Sequence, residues 1–250
     1  MTLAHWLGLA LILLFFALLV VFRVSLRARP GRELRSIAAY TRLQRALGEA
    51  VEAGQRLHLT IGRGKIADMQ SAAGLMGLVV AERISQVAAV ADRPPVVTSG
   101  TGPLGLLSQG VTRSTFAESG LSERYHPTLA QISGLTPYAY AAGTMVLAGD
   151  PANAATVILG SVGPEAALIA DAGETEGRLV VAGTDHVPTQ AVLYAAAAEP
   201  LIGEELFAAG AYLGADPFHN ASLQAQDVLR WVLIVAMVAG GLLKFLGVWP

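Results

Sequence analysis

The chain contains no cysteine, which excludes disulfides, thiol catalysis and cysteine-based metal sites and is consistent with a reducing compartment. Charge is also scarce. Asp, Glu, Lys and Arg make up 14% of the residues, against roughly 25% in a typical soluble domain. The balance between them is nearly even, at a formal net charge of -2, so nothing points to nucleic acid or another polyanion. Small residues fill the gap, and a domain with so little charge hides part of its surface in close helix packing or against copies of itself.

Against these absences stand two long apolar runs. Leu3 to Phe22 has one polar side chain, His5, and Trp231 to Trp249 is interrupted only by Lys244. At about 1.5 Å of rise per residue each run matches a hydrocarbon core about 30 Å thick. Arg23, Arg27, Arg29, Arg32 and Arg35 follow the first run, with Glu33 the acid among them. Such asymmetry beside a first span places the Arg-rich side in the cytoplasm, with both termini outside. A cleavable signal peptide would carry its charge ahead of the apolar stretch. The expected organisation is a transmembrane helix over 1–22, an Arg-rich juxtamembrane segment and amphipathic helix over 23–54, a cytoplasmic α/β domain over 55–226 and a second transmembrane helix over 227–250. The localisation this implies is the cytoplasmic membrane, with the lipid bilayer as one partner.

Between the spans, Leu34, Ile37, Leu43, Leu47 and Val51 recur at helical spacing over Glu33 to Gly54. A strand is expected over Arg56 to Ile61 and a long helix over Ala67 to Asp92, in which Gly74 and Gly77 signal close packing. Three apolar strands then run into Gly-rich turns. Val96 to Ser99 meets Gly100-Thr101-Gly102-Pro103, Thr156 to Leu159 meets Gly160-Ser161-Val162-Gly163-Pro164, and Arg178 to Ala182 meets Gly183-Thr184-Asp185. This alternation predicts an α/β fold, a mainly parallel sheet with flanking helices, bracketed by the two transmembrane helices. Pro188 to Gly214 reads as the longest helix of the domain, kinked or split by Pro200.

The turns concentrate the candidate chemistry. Gly100, Gly102 and Gly105 satisfy GxGxxG after a strand, the arrangement that brings a pyrophosphate to backbone amides at a helix N-terminus. The helix that follows reads as short, with Gly110 soon after, and no later strand delivers an acid to a ribose. Gly62-Arg63-Gly64-Lys65 fails the Walker pattern, because Leu59 stands where its first glycine belongs and Ile66 follows the lysine; it reads as a basic turn between strand and helix, with a phosphate contact through Arg63 and Lys65 as the alternative. Ser161 misses a nucleophile elbow, since Leu159 replaces the required glycine. Asp185 and His186 read as a turn with a helix cap from Thr184 or Asp185. His126, His186 and His219 have no second ligand at a metal-binding spacing. The candidate ligand-binding residues are Gly100, Thr101, Gly102, Gly105, Gly160, Ser161, Gly163 and Asp185; no catalytic residue, metal site or cofactor is assigned.

Together with the two spans, the segments IGRGKIADMQSAAGL, PPVVTSGTGPLGLL, VILGSVGPEAAL and GEELFAAGAYLG resemble an uncharacterised prokaryotic membrane family known only as a domain of unknown function. The resemblance covers nearly the whole chain. It implies a prokaryotic integral membrane protein and brings no activity with it. Two functions are therefore expected from the residues. The first is a non-enzymatic, self-assembling scaffold at the cytoplasmic face, a homo-oligomer with its contacts along Ala67 to Asp92 or Pro188 to Gly214. The alternative is a tethered sensor or enzyme that binds a phosphorylated small molecule or nucleotide over the Gly-rich turns.

The topology is testable because any introduced cysteine is unique. Ser36→Cys and Ser222→Cys are expected to resist a membrane-impermeant maleimide in intact cells and to react once the cells are opened. Labelling in intact cells would invert the assignment.

Overall fold

The computed structural model describes residues 3–28, 34–66 and 71–246. The chain divides into two compact units, one comprising Met1–Leu34 with Asp216–Pro250 and the other Arg35–Ala215. Helix α1 (Leu3–Ala28) opens the first unit.

The second unit is a six-stranded, all-parallel sheet. In chain order it runs α2 (Ala38–Glu52), β1 (Arg56–Gly62), α3 (Ser71–Ala88), β2 (Val96–Ser99), α4 (Gly102–Glu118), β3 (Ala130–Ile132), α5 (Pro137–Ala148), β4 (Asn153–Ser161), α6 (Ala166–Glu174), β5 (Leu179–Thr184), α7 (Val187–Ala196), β6 (Glu199–Leu201) and α8 (Ala209–Tyr212). The spatial order is β3-β2-β1-β4-β5-β6. The chain thus starts at the centre, winds outward to β3, returns beside β1 through α5, and winds outward again to β6. Strands buried on both faces read as continuous apolar runs, which is why β4 and β5 stand out in the sequence, whereas β1 alternates Leu57, Leu59 and Ile61 with the buried polar residues His58 and Thr60.

Alternation along the strands divides the core. Leu57, Leu59, Ile61, Ala155, Val157 and Leu159 join one cluster with Leu43 and Leu47 of α2 and Val80 and Ile84 of α3. Ile158, Val180 and Ala182 face the other way and join Tyr140, Ile169 and Leu193 of α5, α6 and α7. Each fully buried Leu or Ile contributes about 1.5–3 kcal/mol relative to exposure. Gly77 sets the spacing of α3, since a Cβ there would lie 2.7 Å from the Leu159 carbonyl oxygen and 3.0 Å from the Ile61 Cβ. The small residues of this helix therefore serve packing within the domain, and Gly74 likewise abuts Leu104.

The sequence reading needs three corrections. Pro188 to Gly214 is not one helix: α7 ends at Ala196, Pro200 lies in β6, and a 3₁₀ turn (Gly203–Ala208) precedes α8. Proline is admitted there because β6 is an edge strand paired only with β5, where a missing N–H costs no ladder bond. Second, α4 runs on through Gly110, an exposed position with nothing near its missing Cβ, so the loss is about 1 kcal/mol of helix propensity. Third, β3 and α5 were not anticipated. The expected helix over Ala67 to Asp92 is observed as Ser71–Ala88, and its 67–70 portion lies outside the described residues.

A clasp joins α2 to the end of the domain. Tyr40 stacks on Tyr212 with ring centroids 5.0 Å apart, and its hydroxyl donates to the Glu205 carbonyl at 2.6 Å. The Tyr212 hydroxyl donates to the Arg35 carbonyl at 2.5 Å, and the Arg35 guanidinium meets the Glu205 carboxylate at 2.7 Å. In the other unit α9 (Pro217–Phe245) follows an Asp216 cap and packs against α1, with the Arg23 guanidinium 4.4 Å from the centre of the Phe218 ring. Both α1 and α9 are long and apolar enough to cross a membrane.

His58 lies at the centre of β1, fully buried, with Nε2 3.0 Å from the Thr98 hydroxyl and Nδ1 without a partner. Burial, with a smaller effect from Arg56, lowers its pKa to about 3. Between about pH 6.5 and that value the unfolded chain takes up a proton that the native imidazole refuses, so stability falls with acidification by up to about 1.4 kcal/mol per pH unit. Unfolding midpoints measured at pH 7 and pH 5 are expected to drop less for His58→Gln than for the unaltered chain. An equal drop would remove His58 from the acid response.

Candidate functional site

Where β1 and β4 lie side by side, the connections leaving their C-terminal ends depart in opposite directions. Such a switch point opens a crevice at the carboxyl edge of an α/β sheet. Here the two strand ends are also drawn unusually close. The register shifts between Thr60 and Gly62, which pair with Ile158 and Ser161. A Cβ on Gly160 would lie 2.2 Å from the Ile61 carbonyl oxygen, and one on Gly62 would lie 2.5 Å from that of Ser161. Gly62 also adopts φ +78°, a conformation that disfavours any side chain. Beyond the irregularity the Arg63 N–H donates to the Ser161 carbonyl at 2.8 Å, and the Gly100 N–H donates to that of Gly62 at 2.9 Å. The first turns of three neighbouring strands are thereby stitched together.

A cavity of about 300 Å³ opens at this junction, lined by Arg63, Pro137, Ser161, Gly163, Glu165 and His186 among others. Arg63 reaches across the turn after β2. Its side chain lies over Gly100, Nη2 donates to the Leu135 carbonyl at 2.9 Å, and Nη1 stands 3.9 Å from Glu165 Oε1, an ion pair longer than a hydrogen bond. Its Nε is buried without a partner. The Glu165 side chain is 7% exposed and folds back over Gly163, accepting its N–H at 3.3 Å. On the β5 side the Thr184 hydroxyl accepts the N–H groups of Val162 and His186, both at 3.2 Å, and the His186 Nδ1 lies 2.6 Å from the Thr189 hydroxyl. Beneath the cavity the Tyr140 hydroxyl bonds to Thr60, fixing α5 on β1; burial raises the Tyr140 pKa, so it is a neutral donor.

The residues expected from sequence divide between two places. Ser161 and Gly163 line the cavity, Gly160 lies against the β1 backbone at Ile61, and Asp185 follows β5 with Oδ1 buried and without a hydrogen-bond partner. Gly100, Thr101, Gly102 and Gly105 belong to the neighbouring turn between β2 and α4. There Gly100 accommodates Arg63 and Tyr140, Gly105 accommodates Ile132, and Gly102 is open. The Thr101 hydroxyl donates to the Gly64 carbonyl at 3.4 Å. Thr184, not Asp185, holds the His186 N–H, while the helix cap position itself is His186.

Arg63, Glu165 and His186 were not among the expected ligand residues. The strand order supplies the missing signal: in a sheet ordered in this way the phosphate-approaching turn follows β1. Gly62-Arg63-Gly64-Lys65-Ile66-Ala67 matches GxGxxA by letter, although Ala67 lies outside the described residues. The strand that would carry a ribose-binding acid, β2, instead ends in Ser99 and continues into Gly100 and Thr101. The dinucleotide pattern is therefore incomplete, and the cavity beside it holds one guanidinium and one carboxylate. Among the described residues no three His, Asp or Glu side chains converge as a metal site.

The family model for "Domain of unknown function (DUF6754)" matches residues 3–249. The chain belongs to this family. No curated protein and no solved structure matches it. The DUF6754 match spans both apolar helices and the sheet domain, so the switch-point cavity falls within the family's own extent.

The open and closed glycines give opposite expectations. Gly160→Ala is expected to cost about 3 kcal/mol or more through collision with the β1 backbone, read as loss of folded protein or a lower unfolding midpoint. Gly102→Ala, with no atom near its Cβ, is expected to change stability by less than about 1 kcal/mol. Equal effects would refute the close β1–β4 approach.

Proposed function

We propose that this protein is a membrane-anchored α/β domain that binds a small anionic molecule at the switch point between β1 and β4. Two spanning helices, placing the domain at the cytoplasmic face and both termini outside, supply the anchor. The observation that carries the reading is the cavity at the carboxyl ends of β1, β4 and β5, lined by one guanidinium, one carboxylate, one imidazole and one hydroxyl. Convergent polar groups in a cleft at the switch point are the usual mark of a ligand site in this architecture. Arg63 presents a planar fork suited to a carboxylate or phosphate. With the ribose-directed acid absent, a compact anion fits better than a dinucleotide.

A second reading, self-assembly as a scaffold, draws on a different surface. Val146 of α5 and Tyr194 of α7 are 75% and 71% exposed, which leaves large apolar side chains bare on the helices of one sheet face. It accounts for the low charge and leaves the polar cavity unexplained, so it is placed second.

The test uses the full chain in nanodiscs of zwitterionic lipid. Calorimetry with inorganic phosphate, a mononucleotide and short carboxylates is expected to find one saturable site per chain. Arg63→Gln is expected to weaken it about tenfold or more, in line with the loss of a charge-assisted hydrogen bond. Absence of binding, together with a mass that falls to the monomer in Val146→Asp and Tyr194→Asp, would favour the scaffold.

A further inference from the structure

The cavity is lined by polar groups interleaved with Pro137, Val162 and Pro164, and large exposed apolar residues adjoin that lining along the chain. Leu135, Tyr138 and Val187 are 68%, 76% and 72% exposed. Each is tied to the cavity: the Leu135 carbonyl holds the Arg63 guanidinium, Tyr138 follows the lining residue Pro137, and Val187 follows the lining residue His186. Single exposed apolar residues are ordinary on any surface. Three large ones within two residues of the lining of a cleft whose cation lacks a close anionic partner form a pattern, apolar surface beside a charged centre.

Resting on the reading of this cleft as a small-molecule site, we infer that its ligand is an amphiphilic oxyanion, a phosphate or carboxylate headgroup on an apolar chain. The headgroup takes the Arg63 fork, whose Nη1 is 3.9 Å from Glu165 and whose Nε is unpartnered. The chain lies over Leu135, Tyr138 and Val187. Glu165 sets the threshold for binding. Its carboxylate, held by the Gly163 N–H, faces the same guanidinium and repels an incoming anion, so it must be displaced or outcompeted. An amphiphile meets this requirement, because transfer of its chain from water adds about 0.8 kcal/mol per buried methylene to the weak headgroup contact. A free phosphate brings no such contribution.

The experiment separates head from tail. Full-length protein in phosphatidylcholine nanodiscs is titrated calorimetrically with hexyl phosphate, hexanoate, inorganic phosphate and hexanol. Hexyl phosphate is expected to bind about tenfold or more tightly than inorganic phosphate, and hexanol not detectably. Arg63→Gln should remove most of the hexyl phosphate affinity. Glu165→Gln, which keeps the shape and deletes the competing charge, should raise affinity about threefold or more, an effect that a merely structural Glu165 would not produce. Tyr138→Ser should weaken hexyl phosphate and leave inorganic phosphate unchanged. Including about a tenth of phosphatidic acid in the discs identifies the source, in keeping with the competition expected at a single site. Displacement of hexyl phosphate assigns a bilayer lipid, and undiminished binding assigns a free amphiphile. If inorganic phosphate or the mononucleotide binds and hexyl phosphate gains nothing, the amphiphile fails while the small-molecule site stands. If no compound binds, both fail.

Discussion

The close approach of the β1 and β4 backbones is the constraint on which the rest of the domain depends. Two parallel strands at the centre of the sheet are brought near enough that Gly62 and Gly160 each face a carbonyl oxygen where a side chain would stand. A shift in pairing there is uncommon in a parallel ladder and re-aims the residues that follow. Arg63 leaves β1 pointing across the turn after β2, and Ser161 to Glu165 leave β4 toward the same space. Gly77 adds the third dimension by letting α3 settle on these two strands. Had any of these glycines a side chain, the turns would separate and the polar groups would no longer share a cavity.

Electrostatics within that cavity are poised rather than satisfied. A guanidinium and a nearly buried carboxylate stand 3.9 Å apart, a distance at which the charges attract without forming the directed bonds that make such pairs strong. Each has a better-placed neutral partner, Arg63 in the Leu135 carbonyl and Glu165 in the Gly163 N–H. The arrangement keeps both charges in place at little cost and leaves donor capacity on Arg63. A structural ion pair would close the gap. The open geometry is the one the proposed anion site requires.

Much of the scaffold was legible in the residues, and the reason lies in range. Long apolar runs, strands buried on both faces and the glycines that follow them are local patterns; they located β1, β2, β4 and β5 to within a few residues and the apolar parts of α1 and α9, whose helices extend beyond those parts to Ala28 and back to Pro217. Elements of three residues, such as β3 and β6, carry too little periodicity to register, and Pro200 argued against a strand at the edge position that tolerates it. The order of strands is not local at all. Without it, GxGxxG at Gly100 to Gly105 favours the turn after β2, while the turn after β1 fails the Walker pattern and offers only a phosphate contact through Arg63 and Lys65 as an alternative to a basic turn. Arg63 and Glu165 could not have been paired from sequence, since 102 positions separate them and only the return through α5 brings their turns together.

The distribution of the site along the chain bears on what the membrane contributes. Every side chain that lines the cavity lies between Arg63 and His186, well inside the segment closed by the clasp of Arg35 and Tyr40 with Glu205 and Tyr212. The spans therefore supply no group to the cavity. The clasp ties the point where the chain enters the domain to the segment just before it leaves, through the Tyr40–Tyr212 stack and the Arg35–Glu205 pair. If the cavity binds an anion as proposed, recognition draws on groups of the sheet domain alone. On the same proposal the two apolar helices, each long enough to cross a membrane, decide where that domain works and which molecules it meets at high local concentration.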